Sequence, residues 1–215
     1  MNLHINTALI AENFSKPCEC PLCEIEETVD KWLVEQFLSE AVMEDHAREE
    51  VNKKGFCYDH LRKLYAGNNK LGFALQLQTR LAALRPALEG RAKAAKKRAE
   101  ALTAQLDSCV ICEMKDANMQ RYAETVARMF DKDEAFRKKF EESKGFCLKH
   151  YRDLLAAGGS VGFAESLQRV QTQNMDRLAE ELAGFVRKFD HRFADQPWGT
   201  SKDAHVRAMQ KYQGK

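Results

Sequence analysis

Apolar side chains along this chain recur at steps of three and four, the spacing that puts them on one face of a 3.6-residue helix. The run Ala74, Leu77, Leu81, Leu84, Leu88, Ala92, Ala95, Ala99, Leu102 and Leu106 keeps that spacing from end to end. It predicts one long helix whose stripe packs into the core, kinked at Pro86 because proline lacks a backbone donor and clashes one turn back. Met175, Leu178, Leu182, Phe185 and Phe189 predict a matching long helix later in the chain. Ahead of each long helix the pattern predicts three shorter ones. In the first half these cover about 24–39 and about 44–53, with a third opening at GFC, residues 55–57. Their counterparts cover about 113–130 and 133–143, with a third opening at 145. Turns rich in glycine, GNN at 67–69 and GGS at 158–160, precede the long helices. No run alternates β-branched residues, and Ala, Leu, Glu, Lys, Arg and Gln dominate, so the fold class expected is all-α.

The halves also repeat letter by letter. LGFALQLQTRL at 71–81 matches VGFAESLQRVQ at 161–171, and GFCYDH at 55–60 matches GFCLKH at 145–150. Similarity at one offset over such a length marks an internal duplication. Two copies are too few for an open solenoid. The expectation is two tandem four-helix units related by a pseudo-twofold, covering 1–108 and 109–192, with a tail at 193–215 that packs on the body. In that tail QPWG is a turn, Thr200 or Ser201 caps a short last helix, and Trp198 packs against the rest.

The duplication carries the chemistry. Cys20 and Cys23 recur as Cys109 and Cys112, and Cys57 and His60 recur as Cys147 and His150. Each half therefore reads CxxC, a gap of 33 or 34 residues, then GFCxxH. Thiolate and imidazole are the ligands zinc prefers, and a structural site fills all four tetrahedral places with protein atoms. A CxxC turn brings two sulfurs together, and a cysteine and histidine three apart on a helix share a face. Both motifs open helices, where the free N–H groups and partial positive charge favour thiolate. The reading is one Cys3His zinc site per half, two per chain. Cys20, Cys23, Cys57 and His60 clip the first and third helices of one half, and Cys109, Cys112, Cys147 and His150 do so in the other. Gly55 and Gly145 suit a close backbone approach, and Phe56 and Phe146 anchor the turns. An iron–sulfur cluster with one histidine ligand is the alternative cofactor. Cys18, which has no counterpart, reads as a surface thiol or as a resolving thiol that displaces a ligand on oxidation.

Composition narrows the role more than it names it. Charged residues make up 31% of the 215, yet the net charge is only +2, which argues against a dedicated nucleic-acid binder. The basic stretch RAKAAKKRAE at 91–100 reads as a solvated helix face. The carboxylate pairs at 26–27, 49–50, 141–142 and 180–181 read the same way, and His46, His191 and His205 as isolated histidines. No apolar run approaches the roughly 20 residues that span a bilayer. MNLHINTALIAENF has neither a basic start nor a sustained apolar stretch, so no secretory signal is expected and the location expected is cytoplasmic. Seven cysteines in a reducing compartment point to metal rather than disulfides. No catalytic residue emerges, and a closed four-ligand shell argues against hydrolytic zinc chemistry.

CPLC with GFCYDH, CVIC with GFCLKH, and the tail FDHRFADQPWGTSKD together resemble an uncharacterised bacterial family of helical proteins with a domain of unknown function. Its members often carry an automatic label as ABC-transporter substrate-binding proteins. The resemblance implies the doubled CxxC/GFCxxH layout and no established activity. The transporter label conflicts with the residues, since such receptors need an export signal and two α/β lobes. The expected function is a zinc-binding, non-enzymatic scaffold for a protein or peptide partner. The alternatives are a thiol-redox or metal-responsive regulator that releases zinc on oxidation, and an iron–sulfur carrier.

Overall fold

The computed structural model describes residues 3–90 and 92–214. Among them are eleven α-helices, a few short 3-10 turns and no strand. The helices are α1 (Leu3–Asn13), α2 (Pro21–Leu38), α3 (Asp45–Lys54), α4 (Tyr58–Ala66), α5 (Lys70–Leu88), α6 (Ala95–Leu106), α7 (Val110–Lys132), α8 (Glu134–Glu141), α9 (Leu148–Ala157), α10 (Val161–Arg187) and α11 (Ala204–Gln213). The repeat survives as matched elements, with α2 to α5 answering α7 to α10. Local chemistry fixes several starts. The side chains of Asn69, Asp133 and Ser160 each accept from a backbone N–H in the first turn of α5, α8 and α10. α4 and α9 begin differently, with Cys57 and Cys147 at the N-cap in extended backbone and their sulfurs turned elsewhere.

The chain divides into two compact units, Met1–Glu27 with Met119–Lys215, and Thr28–Asn118. The repeat boundary expected at residue 108 falls inside the second of them, and the tail belongs to the first. The first unit is built on phenylalanine. Phe14, from the end of α1, meets Phe136 at 4.9 Å, Phe140 at 5.9 Å and Phe146 at 6.1 Å between ring centroids. Phe163 and Phe130 complete the cluster around Phe140, and Leu22, Ile25, Leu154 and Leu167 are also buried in this unit. α1, which the sequence pattern did not predict, thus contributes core. Trp198 packs on Phe185 of α10 at 5.6 Å. The last helix starts at Ala204, behind Asp203, while Gly199–Ser201 form a 3-10 turn in place of the expected cap.

The second unit has a smaller core of Val29, Leu33, Phe37, Val42, Val51 and Leu64, with Phe37 edge-on to Phe56 at 5.6 Å. Here the long apolar stripe departs from expectation. The helix stops at Leu88, two residues past Pro86, and resumes as α6. Leu81, Leu88 and Leu106 are exposed, as are Ala74, Ala95 and Ala99. The buried face of α5 is Gly72, Gln76 and Arg80 instead. Arg80 decides this. Its guanidinium donates to the carbonyls of Asn52 and Lys53, the unsatisfied end of α3, and to Gln105 on α6. A cation with four such bonds must face inward, which leaves Leu77 and Leu84 beside it half-buried and turns Leu81 and Leu88 to solvent. α10, with no internal proline, runs unbroken for 27 residues.

Both GFC turns begin on a left-handed glycine, Gly55 at φ +66° and Gly145 at φ +76°. A Cβ on Gly55 would lie 2.7 Å from Arg80 Nε. Its backbone, with ψ −157°, occupies a region essentially reserved for glycine. Gly55→Ala is therefore expected to destabilise the protein by about 1–3 kcal/mol, read as a lower urea midpoint. An unchanged midpoint would contradict this account of the turn.

Candidate metal centres

The eight expected residues gather into two tight sets, one inside each unit. Cys20, Cys23, Cys147 and His150 form the first, and Cys57, His60, Cys109 and Cys112 the second. Within each set the ligand atoms lie within 4.8 Å of one another. This corrects the expected partition, in which each half kept its own CxxC and CxxH. Each set instead joins the CxxC of one half to the CxxH of the other. Loop-closure cost rises by only about 0.6 kcal/mol per doubling of length, so closeness in sequence hardly biases which motifs meet. Packing decides. In the second unit Val110 N–H donates to Gly55 O at 3.0 Å, and Ser108 Oγ donates to Lys54 O at 2.6 Å. These bonds tie the second CxxC directly to the first GFC turn.

Edge lengths test the fit of a metal. A tetrahedral zinc with bonds of about 2.3 Å to sulfur and about 2.0–2.1 Å to nitrogen holds its sulfurs about 3.8 Å apart and sulfur about 3.6 Å from nitrogen. In the first centre Cys23 and Cys147 Sγ are 3.6 Å apart. His150 Nδ1 is 3.5, 3.5 and 3.2 Å from the sulfurs of Cys20, Cys23 and Cys147. In the second, Cys57 and Cys112 Sγ are 3.8 Å apart. His60 Nδ1 is 3.2, 3.3 and 3.4 Å from the sulfurs of Cys57, Cys109 and Cys112. Both donor sets have the size and composition for one four-coordinate ion.

Each histidine turns Nδ1 to the sulfurs and Nε2 to a carboxylate, the arrangement that fixes the tautomer and orientation of a metal-binding imidazole. His60 Nε2 lies 2.9 Å from Asp30 Oδ1. Asp30 also meets Lys63 at 2.6 Å and Lys115 at 3.4 Å. Burial would raise the Asp30 pKa, but Lys63 and His60 outweigh it and hold the carboxyl low. His150 Nε2 faces Glu26 Oε2 at 3.3 Å, within ion-pair range but short of hydrogen-bond geometry. Lys149 meets the other Glu26 oxygen at 2.5 Å. Burial acts upward on Glu26 too, yet His150 and Lys149 bring it down to about 2. Cys23, Glu26 and Asp30 fall at i, i+3 and i+7 along α2. The sequence reading overlooked this face and assigned Glu26 to a solvated carboxylate pair.

Without metal, the clusters hold charge by pairing imidazolium with thiolate. Burial opposes the charge on His60, but Cys109 and Asp30 raise its pKa to about 9. Burial also opposes the Cys109 thiolate, and the bond to His60 brings it down to about 6. Cys112, desolvated beside Cys109, is pushed up to about 12. In the first centre burial is outweighed again, and Cys147 with Cys23 and Glu26 raises His150 to about 11. The Cys147 thiol is lowered by Cys20, Cys23 and His150, and burial pushes Cys20 well up. A divalent ion entering either centre displaces these protons.

Cys18 stands outside both sets, and no disulfide links the cysteines. His205 stacks near Phe185 at 4.4 Å, and His191 lies on the surface beside Asp190. Lys93, Lys96 and Lys97 of the basic stretch are exposed. No helix among the described residues is long and apolar enough to cross a membrane.

A helical chain with two Cys3His clusters is the class that fold and sites define. The chain belongs to a family of unknown function, DUF6062, whose model matches residues 1–215. It is similar to an uncharacterized 23.9 kDa protein in the xynA 3′ region of Caldicellulosiruptor sp. (strain Rt8B.4), 25% identical over 181 residues, which span 84% of this chain and 87% of that protein. No solved structure matches it.

Loss of an outer carboxylate typically weakens metal binding about 10–100-fold. Asp30→Asn is therefore expected to weaken one of two bound equivalents in a chelator competition, and Glu26→Gln the other. If neither substitution changes either affinity, these carboxylates do not orient the histidines.

Proposed function

We propose that this chain is a zinc-binding helical protein whose two Cys3His centres are structural, and that it serves as a non-enzymatic scaffold for a protein or peptide partner. The observation that carries the reading is the pair of Cys3His sets with edges of the length a single tetrahedral zinc requires. Four protein donors per ion leave no place for water or substrate, which supports a structural rather than hydrolytic role. Donors this close suit one ion better than a multi-iron cluster, which spreads its thiolates around a larger core. Seven cysteines without a disulfide suit a reducing compartment, the cytoplasm. The apolar side chains that α5 and α6 leave exposed, Leu81, Leu88 and Leu106, support a docking role.

Elemental analysis of protein purified without oxygen tests the reading. The expected result is about two zinc per chain, with helicity lost when a chelator strips them. Iron with sulfide would replace the structural-zinc reading with a redox cofactor, and absence of any metal would refute it.

A further inference from the structure

The two centres are held by different means. In the second unit the hydroxyl of Ser108, just before Cys109, donates to the carbonyl of Lys54, just before the GFC turn. The repeat places Glu19 where Ser108 stands and Lys144 where Lys54 stands. In the first unit these two carbonyls are bridged from outside the repeat. The ammonium of Lys211, on α11, donates to Glu19 O and to Lys144 O, both at 2.6 Å. It also lies 3.2 Å from the Glu19 carboxylate. The Lys211 side chain is only 2% exposed. Arg177 meets the same carboxylate at 2.7 Å. An aliphatic chain and a buried cation thus join the segments that deliver Cys20 and Cys147, through bonds a charged donor makes stronger than a neutral one.

α11 also covers the metal position. Gly214, immediately after it, is so close that a Cβ there would touch both Cys23 Sγ and Cys147 Sγ at 3.6 Å. All four ligands of this centre are buried. In the second centre Cys109 and His60 are buried, but Cys57 and Cys112 are partly exposed, and their sulfurs are neighbours.

We infer that the centres divide into one locked and one exchangeable: α11, through Lys211 and Gly214, closes the first unit's centre, and the second unit's centre trades its metal with thiols or chelators from solution. The inference rests on the metal-binding reading above. The exchange step is a ligand substitution. An incoming thiolate forms a bond to the ion, the bond to Cys57 or Cys112 breaks, and the released thiolate takes a proton from water. No electrons change hands. In the first centre the same approach is blocked by the backbone at Gly214 and by the burial of all four ligand residues.

The test is zinc release from the two-zinc chain into excess chromogenic chelator. Two phases of one equivalent each are expected. Cys112→Ser should abolish the fast phase. Lys211→Met should speed the slow phase about tenfold or more and leave the fast phase unchanged. Ser108→Ala should act on the fast phase alone. Two zincs leaving in one phase, or a slow phase indifferent to Lys211→Met, would overturn the inference while leaving the zinc reading intact. A chain that binds no metal would overturn both. If Lys211→Met fails to fold, timed alkylation of the unaltered zinc-loaded chain decides. Among the ligands, Cys57 and Cys112 should be modified before Cys20, Cys23 and Cys147, and the reverse or simultaneous order would overturn the proposal.

Discussion

In each unit three sulfurs and one imidazole nitrogen meet at van der Waals distance, and the surrounding structure is arranged about that meeting point. Thiolates brought this close repel, and burial opposes their charge. The surrounding pKa shifts express the conflict, with the Cys109 thiol lowered by His60 against burial and the Cys112 thiol pushed up by burial and by Cys109 beside it. A divalent ion would resolve it, and structural zinc, where a protein binds it, contributes on the order of 10 kcal/mol or more of coupled folding free energy. Helices α2, α4, α7 and α9 all begin at these ligands. The starts of four of the eleven described α-helices thus lie at the two clusters.

Around each point the chain adds polar anchors in place of apolar bulk. Gly55 and Gly145 let the backbone turn toward the sulfurs. Asp30 and Glu26 aim the imidazoles. Ser108 in one unit and Lys211 in the other fasten the ligand-bearing turns together. Arg80 belongs to the same scheme, since it closes the end of α3 that leads into the GFC turn. Buried polar groups cost free energy unless fully bonded, and their concentration here shows where positional accuracy is required. The phenylalanine cluster of the first unit supplies the nondirectional part of the stability.

Helical periodicity was enough to read the all-helical class and most of the matched helices, and the repeated CxxC and GFCxxH motifs singled out the eight residues that gather into two Cys3His sets. Three things were not legible, each for a physical reason. The partnering of the motifs depends on which turns dock, and loop entropy is too flat to reveal it. The stripe from Ala74 to Leu106 looked like core because apolar spacing reports a face but not what that face meets; Arg80, on the adjoining face of α5, had stronger demands. Glu26 and Asp30 resembled any solvated helix carboxylates, although their spacing from Cys23 along α2 was a usable signal. Lys211 left no mark at all, since a lysine in a tail is ordinarily exposed.

The crossed composition of the centres is the claim on which the account stands. Cadmium-113 substituted for zinc, with proton–cadmium correlations to the cysteine β-protons, reads the ligands of each ion separately. The account predicts one cadmium coupled to Cys20, Cys23 and Cys147, and another coupled to Cys57, Cys109 and Cys112. A cadmium coupled to Cys20, Cys23 and Cys57 together would contradict it.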